Sequence, residues 1–348
     1  MRSKQFVSPH VPIRPDWLKR HQEPALMPEQ RIIDAHHHLW DRPQSRYLLD
    51  ELTADVGTGH QILATIYVQC RSMYRAHGDP KLLSVGEIEF ANGIAAQYAS
   101  GLYGNTRGCA GIIGFADLLL GHNVDYVLDH LVAAGGGRVK GVRNTTAWHA
   151  DSSIVSNPVP PPANMLIYTA FIEGTRRLGK RNLVLDIWAY HTQLEEVERL
   201  SRACPETAIV IDHIGGPLGV GPYHDKRSEV FNEWSAQIKK LAQLPNLKIK
   251  IGGFGLAVFG YDFHLQENPP TSDALALSWK KYVLTVIDTF GANRCMFESN
   301  FPVDKGMFNY ASMWNAYKKI VWEFTQQEKD YLFYKTAEET YSINLSEF

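Results

Sequence analysis

The 348-residue chain sets 35 Lys and Arg against 37 Asp and Glu, and a formal net charge of -2 gives it no general attraction for nucleic acid or an anionic membrane. With 45% hydrophobic and 21% charged residues it suits a soluble globular protein, one large domain or two ordinary ones, and no run approaches the ~18 apolar residues of a membrane span. Cys70, Cys109, Cys204 and Cys295 are scattered without a CxxC pair, which excludes a zinc knuckle or disulfide scaffold and fits reduced thiols in a cytoplasm.

The opening "MRSKQFVSPH" lacks an apolar signal region, so the protein is expected to be cytoplasmic and untargeted. Residues 1–30 carry prolines at 9, 12, 15, 24 and 28 and read as an extended arm, with the ordered fold running from 31 to 348. Eight short apolar runs then follow: "RIIDAHH", "ILATIYVQC", "CAGIIGFADL", "RVKGVRNT", "LVLDIWAY", "AIVIDHIGG", "LKIKIGGF" and "RCMFESNFP". Amphipathic stretches such as "EIEFANGIAAQYAS", "NVDYVLDHLVAAGG", "MLIYTAFIEGTRRLG", "TQLEEVERLSRACP" and "SWKKYVLTVIDTFG" separate them, several ending in the Gly or Pro of a helix stop. Eight strands alternating with helices predict an α/β fold, a (β/α)8 TIM barrel with an extended N-terminal arm. No phosphate-cradling glycine motif follows the first strand, which argues against an open nucleotide-binding sheet. The Pro-rich "SNPVPPPANM" and "HLQENPPTSD" read as loops after strands, where barrels build their active sites.

Strict strand alternation places Asp34, His36 and His38 on one face of the first strand, with His37 packing on the other. His36 and His38 would then share one metal ion or one substrate oxygen at the barrel rim. In "IVIDHIGGP", Ile209, Ile211 and His213 share a face, and in "CMFESNFPVD", Glu298 and Asn300 do. Arg143 and Gln69 end the fourth and second strands, and Lys250 lies inside the seventh. Arg143 is suited to clamp a carboxylate; equally, Arg143 and Lys250 would neutralise buried acids. Trp40, Trp148, Trp188 and Tyr190 could wall a pocket, His149 and His191 are weaker candidates, and Glu87 favours the first turn of its helix.

The DxHxH pattern of Asp34, His36 and His38, the "DHIGGP" turn and the motif Ser299–Pro302 together resemble the amidohydrolase-related branch of the amidohydrolase superfamily, from about Pro15 to the C-terminus. That branch contains pyrone dicarboxylate and sugar-acid lactonases and nonoxidative decarboxylases. The resemblance implies that His36, His38 and His213 bind metal or polarise a carbonyl. Asn300 falls where most relatives place an Asp base, and an amide cannot take a proton from water. Asp186, on the inner face of the fifth strand with Val184 and Trp188, could supply the missing charge, as could Glu298 or Asp304.

The leading expectation is a lactone hydrolase with catalytic residues His36, His38, His213, Asp186 and Asn300. Its metal ligands would be drawn from His36, His38, His213, Asp186 and Glu298, and its substrate contacts would be Arg143, Gln69, Lys250 and Trp188. One divalent zinc or manganese ion is expected, with a dinuclear iron or manganese centre or no metal as alternatives. Asp186 is the expected water base. A metal-dependent decarboxylase, a dinuclear oxygen-activating enzyme and a catalytically silent barrel are the alternatives; the partner is a small molecule, with homo- or hetero-oligomers open.

Overall fold

Arg31–His37 forms β1, the first of eight barrel strands in the computed structural model, which describes residues 9–43 and 45–345. β2 (Gln61–Val68), β3 (Arg107–Gly114), β4 (Val139–Thr145), β5 (Val184–Trp188), β6 (Ile209–Ile211), β7 (Leu247–Ile251) and β8 (Cys295–Phe297) follow. Each pairs in parallel with its sequence neighbour. The ring closes just beyond β8. There the His38 N–H donates to the Phe301 carbonyl at 2.7 Å and the Asn300 N–H to the His36 carbonyl at 2.9 Å. The closing seam therefore runs through the candidate site.

Helices α1 (Leu49–Val56), α2 (Val85–Ala99), α3 (Val124–Ala134), α4 (Thr169–Gly179), α5 (Leu194–Ala203), α6 (Arg227–Leu241), α7 (Ser272–Phe290) and α8 (Tyr310–Ile320) surround the strands. Helical spacing of apolar residues sets their inner faces: in α5, Leu194, Val197 and Leu200 are buried while Glu195, Arg199 and Arg202 pair outside. The fold class expected from strand–helix alternation is the one observed. Of residues 9–30, Pro15–Leu18 makes one helical turn, the Trp17 indole N–H donates to the Gln266 carbonyl at 3.0 Å, and the Leu26 N–H donates to Asn315 Oδ1 at 2.8 Å. The N-terminal eight residues lie outside the described range. Among the described residues, no helix is long and apolar enough to cross a membrane.

The inner lining begins with Ile33, Ala35, Ile66 and Val210, and Tyr334, Ala337 and Tyr341 of the C-terminal segment join it. β1 departs from strict alternation. Asp34 pairs with Thr65 and His37 with Tyr67, so three steps on β1 match two on β2, a one-residue bulge. The extra residue lets Ala35 join the inner lining and still turns His36 and His38 inward. It leaves Asp34 on the opposite side from both, correcting the shared face expected for the three. Asp34 instead accepts from the Ser299 N–H at 2.9 Å, the Tyr310 hydroxyl at 3.0 Å and the His36 N–H at 3.3 Å, tying β1 to β8 and α8. His37 packs outward as expected, its Nε2 2.8 Å from Thr65 Oγ1.

Burial raises the Asp34 pKa from 3.8 to about 6 despite these hydrogen bonds. The native state therefore holds this proton more tightly than the unfolded chain does. Its contribution is most favourable below pH 4 and is lost as pH rises toward 6, by about 3 kcal/mol. Urea unfolding of the wild type against Asp34→Asn should show this loss between pH 4 and 6.5 in the wild type alone. The same slope in both proteins would contradict the assignment.

Candidate active site

Beyond the bulge, the neighbours of His36 and His38 fix which ring nitrogen carries the proton. His38 Nδ1 lies 2.7 Å from the Val68 carbonyl, which only accepts, so Nδ1 is protonated and Nε2 presents a lone pair. Arg143 Nη1, which only donates, lies 3.1 Å from His36 Nε2, so this nitrogen too presents a lone pair, while Nδ1 faces Glu298 Oε2 at 2.8 Å. The two Nε2 atoms converge to 3.2 Å. Burial, reinforced by nearby positive charge, pushes both rings well below the ordinary histidine pKa and keeps them neutral at pH 7. Lone pairs aimed at one point, each backed by a hydrogen bond from the opposite nitrogen, are how metal-ligating imidazoles are oriented.

His213 reaches this centre by a route that alternation does not give. Ile209 and Ile211 of β6 pack outward and Val210 inward, so Asp212 is the next inward residue. The chain then takes left-handed backbone at His213 (φ +53) and Ile214 (φ +50), which swings the His213 ring over the strand end. Gly253 leaves it room, since a Cβ there would lie 2.6 Å from His213 Cβ. His213 donates to Glu298 Oε1 from Nδ1 at 2.6 Å and from its backbone N–H at 3.1 Å. Burial alone would raise the Glu298 pKa, but the contacts with His213 and His36 hold it at about 2.

A fully buried ionic layer lies beneath His36. Lys250 Nζ sits 2.5 Å from Asp186 Oδ2, 3.2 Å from Asp212 Oδ1 and 3.4 Å from His36 Nδ1. The Tyr341 hydroxyl donates to Asp186 at 3.1 Å. Asp186 and Lys250 do point inward, but neither lines the pocket, which corrects the roles expected for them as water base, metal ligand and substrate contact. β5 runs two residues further before Trp188 reaches the pocket, so Asp186 lies one layer too deep. Asp212 is absent from the sequence expectations although the Val210–Asp212 alternation marks it. It links the layer to Arg143, whose Nη1 stands 3.3 Å from Asp212 Oδ2, and positive neighbours lower its pKa against the effect of burial.

A cavity of about 720 Å³ opens over this centre, lined by His38, Gln69, Arg143, Trp188, His213 and Asn300 among others. Arg143 Nη1 lies 3.1 Å from His36 Nε2, and its Nη2 donates to the Gln69 carbonyl at 2.6 Å. Trp188 packs edge-on against His213 at 4.8 Å and donates to Ser156 Oγ at 2.9 Å. Trp40 lines the cavity; Trp148 and Tyr190 do not, and His149 and His191 both pack on Tyr223 instead. Asn300 adopts φ +55, donates from Nδ2 to Asp304 Oδ1 at 2.8 Å, and keeps an Oδ1 with no partner among the described residues. Burial lifts the Asp304 pKa well above the carboxylate range, so this pair offers the pocket an uncharged amide. Glu87 is spent elsewhere, accepting from the Cys70 N–H at 2.8 Å, the Ser72 N–H at 2.9 Å and the Tyr67 hydroxyl at 2.9 Å.

Ligand atoms of His36, His213 and Glu298 lie within 4.8 Å of one another, so this buried group can hold a metal ion. Glu298 Oε1 already accepts from His213, Oε2 has no hydrogen-bond partner among the described residues, and the histidine Nε2 atoms are donors of the kind zinc accepts. A cation on His36 Nε2 would displace Arg143 Nη1 from that nitrogen. Glu298→Gln removes the charge that holds His213 and faces His36, and is expected to weaken zinc binding about 10- to 100-fold, measured by competition with a chromogenic chelator. Unchanged affinity would contradict the orienting role.

Residues 33–343 match the family model described as Amidohydrolase. Among relatives, the Sinorhizobium fredii protein y4mH is 27% identical over 339 residues, covering 91% of this chain and 100% of that protein. An L-fucono-1,5-lactonase of Burkholderia ambifaria is 27% identical over 297 residues, covering 82% of this chain and 86% of the lactonase. The fold is shared with a zinc-bound amidohydrolase of Burkholderia multivorans at a TM-score of 0.69 and 20% identity, over 90% of this chain and 99% of that one. With the family match extending from the first barrel strand into the C-terminal segment, the chain belongs to the amidohydrolase family.

Proposed function

We propose that the protein is a hydrolase that opens a lactone or similar cyclic ester. The observation that carries this reading is the His213–Glu298 pair. A buried carboxylate fixes Nδ1 as the donor, leaving Nε2 of a pocket-lining ring free to act as a base. His213 takes the proton of the attacking water, and Glu298 stabilises the imidazolium that forms. This moves the role of base away from Asp186. Asn300 Oδ1 accepts a hydrogen bond from the same water and orients it. Arg143 donates toward the oxygen on which negative charge develops. His213 then returns the proton to the departing ring oxygen. A divalent metal held by His36 and His38 would supply Lewis-acid polarisation of the carbonyl and acidify a bound water. The lactonase activity named for the Burkholderia ambifaria relative supports the choice of ester.

One observation favours a second reading, metal-dependent decarboxylation: the uncharged Asn300 amide suits a reaction that needs no activated water. Proton accounting separates the two, because ring opening releases acid whereas decarboxylation releases carbon dioxide. A panel of sugar-acid and unsaturated lactones in a pH-stat should yield one with sustained acid release, and His38→Ala should reduce that rate about a hundredfold. Carbon dioxide evolution from an aromatic acid, with every lactone inert, would replace hydrolysis with decarboxylation.

A further inference from the structure

The cavity mouth holds positive charge that neither the ionic layer nor the reacting centre uses. Three arginines, Arg42, Arg71 and Arg143, line the cavity of a chain whose net charge is -2. Among the described lining residues Asp41 is the one acid, and it is exposed. Arg143 is committed to Asp212 and His36, but Arg42 and Arg71 belong to the rim. Both are held in place. The Arg42 guanidinium stacks 4.1 Å over the Trp40 ring, and its Nη2 donates to the Cys70 carbonyl at 2.6 Å.

Arg71 has a left-handed backbone (φ +63), a conformation that costs a side-chain-bearing residue free energy and persists only where its surroundings impose it. Here the buried Glu87 carboxylate imposes it by accepting the N–H groups of Cys70 and Ser72 on either side. The Arg71 side chain then reaches across the mouth to Thr145 Oγ1 at 3.3 Å. Partial desolvation lowers its pKa, and Arg42 and Arg143 push the same way while Tyr74 and Glu87 oppose them. An anion among these guanidiniums would relieve that repulsion, and two planar forks give the geometry that carboxylates accept.

We propose that Arg42 and Arg71 form an outer subsite for a carboxylate carried by the substrate away from the bond that breaks. This rests on the hydrolase reading above and narrows it: the substrate is an acidic lactone instead of an uncharged polyol lactone. Glu87 is a positioning residue that acts through the Arg71 loop.

Isothermal titration with isophthalate and benzoate, rings that differ by one carboxylate and chelate metals weakly, tests the subsite without requiring turnover. The wild type should bind isophthalate about tenfold more tightly than benzoate. In Arg42→Gln and Arg71→Gln that ratio should fall toward one, with an unchanged near-UV circular dichroism spectrum showing that the pocket remains folded. A ratio near one in the wild type, or one that survives both substitutions, would overturn the proposal. If no lactone is hydrolysed while the arginine-dependent preference persists, the hydrolase reading fails and the subsite stands.

Discussion

The site depends on one buried carboxylate. Glu298 lies wholly out of water where an unpaired charge would be expensive, and its position is tolerable because His213 donates two N–H groups to Oε1 and the His36 ring lies 2.8 Å from Oε2. That requirement has consequences in three directions. It fixes the tautomer of His213, it joins β8 to residues of β1 and to the turn after β6, and it turns Nε2 of His213 toward the pocket. Lys250, Asp186, Asp212 and Tyr341 below extend the same logic, since each charge has an opposite partner within hydrogen-bond reach. This layer is a foundation, and chemistry belongs to the layer above it.

Four of the eleven described non-glycine residues with positive φ stand at or beside that upper layer. His213, Ile214 and Asn300 all carry φ near +50, and Arg71 does so at the rim. None is a glycine, so each position costs free energy that the surrounding contacts must offset. For Arg71 the Glu87 carboxylate does so; for Asn300 the bonds to the His36 carbonyl and Asp304 do. His213, Asn300 and Arg71 of this group line the cavity, beside Arg143 and Trp188 from regular strand.

This division explains what could be read from the sequence. Period-two patterning turns Asp186 and Glu298 inward, as observed, because β5 and the end of β8 are regular. It erred for Asp34, where a bulge adds a residue that no local residue type announces. Asp212 also falls outside that reading, and His213 lies past the strand, where a turn places its ring. Depth was equally illegible: alternation tells in from out, but not which layer of the barrel a residue joins, so Asp186 and Lys250 carried roles that only the pocket layer can perform. Arg42 and Arg71 carry no local sequence signal, because loop geometry brings them to one cavity mouth.

The central proposal is that the lone pairs of His36 and His38, two rings kept neutral chiefly by burial, make a cation site beside the pocket. Metal content by plasma mass spectrometry after zinc incubation and gel filtration, on the wild type and the His36→Ala/His38→Ala double variant, tests it most directly. The account predicts about one equivalent in the wild type and none in the variant. Equal metal in both proteins, or none in the wild type, would contradict it.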